Sequence, residues 1–397
     1  MTYHDAFRGV RGATTLGNGM DFEAYLAQVE AFTREELIPS EERVEELGHV
    51  PEDLVRRICE MRLFAISIPE EYGGLGLSQE QQVRLTFAFT RASAVFRARF
   101  STTIGLCSQA LLDFATEAQK LKYLPAMAEG RCTGAFSLTE PDYGSDAANL
   151  ATTAVRDGAD YVLNGTKRYI TNAADADMFL VMARTGGPGA GGVSAFAVDA
   201  GTPGIRVGEP VEMMGHRGSR VSEVYLEDCR VPGDALVGGQ EGLGLKAALR
   251  GINHARTHVA ATCVGQAKRL VGEAVHYARE RRQFGKAIGE HQLVQAMLAD
   301  MRADTYAAEA MVLDCARRFE QRPLPFADIA CAKYFASEMV SRVADKAVQI
   351  LGGQGYMAGN AVARLYRDTR LFRIFEGTSQ IQQQQIARAM LRDMPGA

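Results

Sequence analysis

From Asp21 to about Arg131, apolar residues recur at helical spacing. FEAYLAQVEAFTREELI, PEDLVRRICEMRLF and QEQQVRLTFAFTRASAVF each place an apolar stripe on one face, which predicts amphipathic helices, with Pro51 suited to a first turn. Between them IPEEYGGLGLS reads as a Gly-rich loop. From about Gly134 to Gly242 the period changes. YVLNGTKRYITN, VSAFAVDAG and SEVYLEDCRVP are short β-branched and aromatic runs bounded by Asp-Gly, Asn-Gly and Pro-Gly turns, the pattern of a compact all-β unit. From Leu243 helical spacing returns and is sustained, in GLKAALRGINHARTHVAATCVGQAKRLVGEAVHYARERRQF, HQLVQAMLADMRADTYAAEAMVLDCARRF and ADIACAKYFASEMVSRVADKAVQIL. Long helices with short connections predict an antiparallel bundle. The order α, β, α is not the βαβ alternation of a nicotinamide-binding fold.

A chain of 397 residues allows two or three packed units, and 47% hydrophobic with 23% charged residues is an ordinary globular composition. The net charge of −4 gives no reason to expect nucleic acid or an anionic membrane as partner. Seven scattered cysteines without a C-x-x-C pair argue against structural zinc and a disulfide scaffold, and fit a reducing compartment. No apolar run is long enough to span a bilayer, and the first twenty residues lack the apolar core of a secretory signal. They read as a mobile arm. A cytoplasmic location is expected, with the mitochondrial matrix as the alternative for a eukaryotic source. Two motifs are decoys. Gly242-Leu-Gly244 opens a helix without the preceding strand of a dinucleotide fingerprint, and His254 and His258 lie one turn apart without a third metal ligand.

Six stretches, in order, carry a specific likeness: IPEEYGGLGLS (68–78), SLTEPDYGSD (137–146), NGTKRYITNA (164–173), ARERRQFGKAIGEHQ (278–292), AVQILGGQGY (347–356) and RIFEGTSQIQ (373–382). Together they resemble the acyl-CoA dehydrogenase family. The resemblance implies an N-terminal all-α domain (21–133) after the arm (1–20), a middle β-barrel or sandwich domain (134–242) and a C-terminal four-helix bundle (243–397). It also implies an FAD-dependent homotetramer that removes the α-proton of an acyl-CoA thioester and delivers the β-hydride to flavin, with electrons passing to an electron-transferring flavoprotein.

On this resemblance Glu376 is the base. Apolar surroundings raise a carboxylate's pKa and exclude water, which suits removal of a weakly acidic proton. Gly377 leaves room for the flat thioester. Ala255 stands where some relatives carry their base instead, so that alternative is closed. Leu138, Thr139, Tyr169 and Thr171 match flavin contacts, Tyr169 standing where Trp is commonest. Arg281, Phe284 and Gln292 match residues reaching the FAD of a neighbouring subunit; Gln349, Gly352 and Gly353 match a loop at its adenosine end; Thr378 and Gln380 complete the set. Ser145 and Arg256 match positions near CoA, with a surface ion pair the plainer role for Arg256. Arg97 matches the arginine that binds the distal carboxylate in glutaryl-CoA dehydrogenases, which suggests a short acyl group with an anionic terminus; otherwise it pairs with an acid such as Glu80 or faces solvent. Competing readings are an oxidase that uses O2 directly, a monooxygenase or desulfinase on the same scaffold, and a non-catalytic FAD-binding protein.

Overall fold

The computed structural model describes residues 21–319 and 326–392, so the expected arm, 1–20, lies outside the described residues. The N-terminal region folds into α1 (Phe22–Phe32), α2 (Glu41–Leu47), α3 (Glu52–Glu60), α4 (Gln79–Phe89), α5 (Ala94–Ser101), α6 (Ser108–Phe114) and α7 (Glu117–Ala128). Local chemistry sets several starts. Ser78 and Gln81 form a capping box at α4, and Thr116 and Gln119 form one at α7. Between α5 and α6, Thr102–Cys107 widens into π-helix. The extra residue per turn rotates the following face and lets the Thr103 hydroxyl accept the Gly134 N–H at 3.0 Å, joining helix to sheet.

The middle region contributes β1 (Gly134–Ser137), β2 (Thr153–Asp157), β3 (Asp160–Thr171), β4 (Met178–Arg184), β5 (Val193–Asp199), β6 (Ile205–Val207) and β7 (Val221–Pro232). They form one seven-stranded sheet in the order β1-β4-β2-β3-β7-β6, with β5 also paired to β4. Strand β4, MFLVMAR, is buried on both faces. Met178, Leu180 and Met182 join the helical core, while Phe179, Val181 and Ala183 join the core of the β-unit. Two-sided burial explains its unbroken apolar run, which hides the period of two that parts of β3 and β7 show. Inside this unit Lys167 Nζ meets Glu140 Oε1 at 2.7 Å, both fully buried, and also donates to the Leu138 carbonyl at 3.3 Å. Glu140 accepts two further N–H groups, from Ala151 and Thr152. Burial pushes the Lys167 ammonium down to about 8 against the pull of Glu140.

The C-terminal region is α8 (Gly244–Glu280), the hairpin β8 (Arg282–Gln283) and β9 (Lys286–Ala287), then α9 (Gln292–Arg318), α10 (Phe326–Leu351), α11 (Ala361–Thr369) and α12 (Ser379–Arg392). Helix α8 is buried on all sides from Asn253 to Ala267, because it runs between the N-terminal helices and the bundle. Glycines permit that approach: a Cβ on Gly251 would lie 2.6 Å from the Leu106 carbonyl oxygen, and one on Gly265 only 2.1 Å from Thr90 Oγ1. Ion pairs tie the first and last thirds of the chain together. Glu41 receives Arg364 at 2.6 Å and the Ser93 N–H at 2.7 Å, and Glu45 pairs with Arg364 and Arg367. Asp368 accepts the His216 N–H at 2.5 Å, docking the β-unit on α11.

Lys167→Met keeps the volume and leaves Glu140 charged and unpaired in the core. The expected cost is about 3–5 kcal/mol, read as a lowered unfolding midpoint; a variant that melts with the parent would show that the pair carries no weight.

Candidate active site

A cleft of about 490 Å³ opens between the sheet and the bundle. Its β-wall carries Leu138, Thr139, Tyr169 and Thr171, with Ser145 at the exposed rim; its helical wall carries Ala255, Arg256, Val259 and the loop Glu376–Thr378; Arg97 enters from α5. These residues span most of the sequence and meet only in the fold.

The β-wall is shaped by a bulge. The β3–β7 register slips between Lys167 and Ile170, and Tyr169 takes φ = 59°, which turns its ring outward to 60% exposure on the cleft side. The Arg168 N–H reaches the Thr139 carbonyl at 2.8 Å, and Lys167 Nζ reaches the Leu138 carbonyl at 3.3 Å, so the segments 138–139 and 167–171 are fixed to each other. The hydroxyls of Thr139 and Thr171 have no hydrogen-bond partner among the described residues. Ser219 Oγ and His216 Nε2, on side chains at the same cleft, are buried without one. A surface this rich in unused polar groups suits a ligand with many ring heteroatoms.

Glu376 lies at φ = 53° and Gly377 at φ = 90°. A non-glycine residue in the left-handed region costs of order 1–3 kcal/mol and persists only when its surroundings enforce it. Here they do. Arg256 Nε donates to the Glu376 carbonyl at 2.9 Å, Lys333 Nζ to the Gly377 carbonyl at 2.8 Å, and Gln382 Nε2 reaches both, at 3.2 and 3.1 Å. The Glu376 carboxyl itself faces the cleft. Burial raises its pKa to about 7, while Arg256, Lys333 and Arg97 pull it back. Arg256 is 5% exposed and also bonds Asn253 at 2.9 Å and Gln385 at 3.0 Å. It is therefore not in a surface ion pair; it is built into the loop's support while still lining the cleft.

Arg97 makes no hydrogen bond or ion pair among the described residues. Glu80, its plainer partner, is taken by Arg317 at 2.9 Å. Burial lowers the Arg97 pKa to about 10, with Glu376 opposing, so it stays charged at neutral pH. Beneath it lie His254 and His258, both sharing Gln82 Oε1, at 3.2 and 3.0 Å. The Gln82 amide nitrogen is committed to the Leu77 carbonyl at 2.7 Å, so both Nε2 atoms carry the hydrogen. Burial pushes His254 down to about 3 and His258 well below its usual range. The pair is neutral, and among the described residues no group of His, Cys, Asp and Glu could hold a metal.

The remaining sequence candidates stand apart from the cleft. Arg281, Phe284 and Gln292 sit on and beside the β8–β9 hairpin, exposed, with Phe284 93% exposed at φ = 52°. Gln349, Gly352, Gly353 and Gln380 are exposed as well, while Thr378 is in the cleft and accepts the Ile381 N–H at 3.2 Å. Sequence reasoning missed Lys333, Gln382 and the Gln82–histidine cluster. A single lysine in the apolar stripe ACAKYFASEMV was the available signal for the first; the amides give none.

A cleft between a β-sheet unit and a helical bundle, with a raised carboxylate and unused polar groups along its walls, belongs to an oxidoreductase that binds a flat cofactor. Comparison with known sequences gives the lineage. The chain matches the acyl-CoA dehydrogenase N-terminal domain over 20–131, the middle domain over 135–229 and the C-terminal domain over 242–391, and belongs to that family. It is 36% identical over 364 residues to an acyl-CoA dehydrogenase of Bacillus subtilis, covering 91% of this chain and 96% of that one. It is 37% identical over 352 residues to the caffeyl-CoA reductase-Etf complex subunit CarC of Acetobacterium woodii, covering 88% and 93%. A solved glutaryl-coenzyme A dehydrogenase in complex with glutaryl-CoA superposes with a TM-score of 0.90 at 34% identity, covering 94% and 95%. The protein is an enzyme, and its cofactor is FAD. No described helix is long and apolar enough to cross a membrane.

A Cβ on Gly377 would fall 2.7 Å from Gln382 Nε2 and 2.9 Å from Arg256 Nη2, at a φ that side chains rarely adopt. Gly377→Ala is expected to displace the loop, seen as reduced FAD content and at least a tenfold loss of turnover; full activity at full occupancy would refute the tight fit.

Proposed function

We propose that this enzyme converts an acyl-CoA thioester to the trans-2-enoyl-CoA and passes the electrons to an electron-transferring flavoprotein. The single observation that carries the reading is Glu376, a carboxyl lining the cleft with its pKa lifted to about 7. Bound FAD supplies the hydride acceptor for the β-hydrogen.

Glu376 takes the α-proton, so the C2–C3 bond becomes double as one proton and one hydride depart. Its activity grows as pH rises toward about 7, because only the deprotonated form accepts a proton. The Glu376 N–H, without an acceptor among the described residues, is free to donate to the thioester oxygen as charge collects there. Ser145 at the rim suits the CoA chain, and Arg256 on the helical wall of the same cleft is the second residue for substrate. Leu138, Thr139, Tyr169, Thr171 and Thr378 are the residues of this chain that would hold the cofactor ring. Arg281, Phe284 and Gln292, all exposed, would reach the FAD of a neighbouring subunit in a homotetramer; Gln349, Gly352 and Gly353 would meet the adenosine end of FAD, and Gln380 would complete the flavin contacts with Thr378. The similarity to a subunit of a caffeyl-CoA reductase-Etf complex supports the choice of electron acceptor.

For the acyl group, Arg97 favours a short chain ending in an anion. A charged, unpaired guanidinium in the same cleft as the base opposes a plain hydrocarbon tail and is satisfied by a distal carboxylate. The similarity to a glutaryl-coenzyme A dehydrogenase points the same way.

Glu376→Gln should keep FAD and lose several orders of magnitude in anaerobic flavin bleaching by acyl-CoA; bleaching at the parent rate would end the base assignment. Arg97→Met should shift the kcat/KM ratio of dicarboxyl to straight-chain thioesters by about 10²–10³ toward the latter, and an unchanged ratio would remove the anionic tail.

A further inference from the structure

Lys333 is a buried cation that the reaction chemistry leaves without a role. It lies on α10 with 0% exposure, and its Nζ makes one hydrogen bond among the described residues, to the Gly377 carbonyl at 2.8 Å. An ammonium has three donors, and burying one with a single acceptor is costly unless its charge serves something nearby. The groups facing it are Cys263 and Arg256 on α8, Glu338 on α10 and Glu376 on the loop. Glu338 is already engaged by Arg373 Nε at 2.9 Å and Ser379 Oγ at 2.6 Å. Burial drives the Cys263 thiol far above its usual range, so it is neutral. Arg256 repels Lys333. Glu376 is thus the anion left for it.

The hydrogen bond has a geometric consequence. In a planar trans peptide the C=O and the following N–H point in opposite directions. Arg256 and Lys333 draw the carbonyls of Glu376 and Gly377 into the bundle. The N–H groups of Gly377 and Thr378 are thereby turned the other way, toward the cleft, and neither has an acceptor among the described residues.

We propose that Lys333 is a positioning residue for Glu376: its ammonium fixes the Gly377 carbonyl in the bundle, keeps the Gly377 and Thr378 N–H groups facing the cleft, and holds the neighbouring carboxylate in its anionic form. This rests on Glu376 being the base. Burial pushes Lys333 down to about 8, with the charges of Glu376 and Glu338 opposing and Arg256 adding to the fall. The charge is present below about pH 8 and lost above it, whereas Glu376 becomes a base above about pH 7. The two limits leave a narrow optimum.

The experiment is the pH profile of anaerobic single-turnover flavin bleaching by an acyl-CoA thioester, for the parent, Lys333→Gln and Lys333→Met holoenzymes, with FAD content and melting temperature measured in each. The parent should give a bell. Lys333→Gln keeps a donor and loses the charge: its acid limb should rise by about one pH unit, its alkaline limb near 8 should vanish, and its maximal rate should fall about tenfold. Lys333→Met loses both, and should fall about a hundredfold in kcat with a smaller change in KM. Folded, FAD-loaded variants with the parent's limbs and rate would overturn the proposal. If both variants lose FAD, the parent profile decides, and the lack of an alkaline limb near 8 overturns it. Should Glu376→Gln bleach as fast as the parent, the base assignment falls and takes this proposal with it; loss in Glu376→Gln beside unchanged Lys333 profiles condemns Lys333 alone.

Discussion

Two consecutive carbonyls, those of Glu376 and Gly377, are pulled into the helical bundle by donors from two different helices. The cleft depends on that capture. Left alone, a glutamate would leave the left-handed region and its carboxyl would swing into water. Arg256, Lys333 and Gln382 prevent it, and each is placed by its own burial: Arg256 by α8 threading between helical layers, Lys333 by the bundle core, Gln382 by the first turns of α12. A strained loop held by buried polar groups is rigid, and rigidity is what a carboxyl with a raised pKa needs to stay out of solvent.

The opposite wall is organised by the same physics with a different pair. Lys167 and Glu140 are buried ions whose charges cancel; Lys167 also binds the Leu138 carbonyl on the cleft wall, and Glu140 accepts the N–H groups of Ala151 and Thr152. Each wall therefore has a buried lysine behind it, bonded to a loop carbonyl, and both lysines sit near pKa 8 because desolvation outweighs their partners. The β-unit is in turn tied to the bundle by Asp368 on the His216 N–H, a contact between residues far apart in sequence.

The α–β–α order was legible because hydrophobic period is local: a stripe every three or four residues, then alternation, then the stripe again. The RIFEGTSQIQ motif drew the eye to Glu376 because a lone acid among apolar neighbours is unusual. What stayed hidden was relational. MFLVMA gives no alternation because both its faces are covered. The Arg256 guanidinium reads the same whether it meets solvent or the carbonyl of a residue 120 positions away. Gln82, buried under two histidines 172 and 176 positions on, is one polar letter in a helix that carries others at its surface. Such residues are identified by their partners, and the partners are supplied by the fold.

The β-unit's side of the cleft is complete by Val221, whereas the loop that faces it comes more than 150 residues later, after both long helices that anchor it. During synthesis, then, the sheet and most of the bundle emerge before the Glu376 segment leaves the ribosome. The nascent chain can fold its scaffold early, but it cannot assemble both sides of the cleft until the Glu376 segment has followed both of the long helices that hold it.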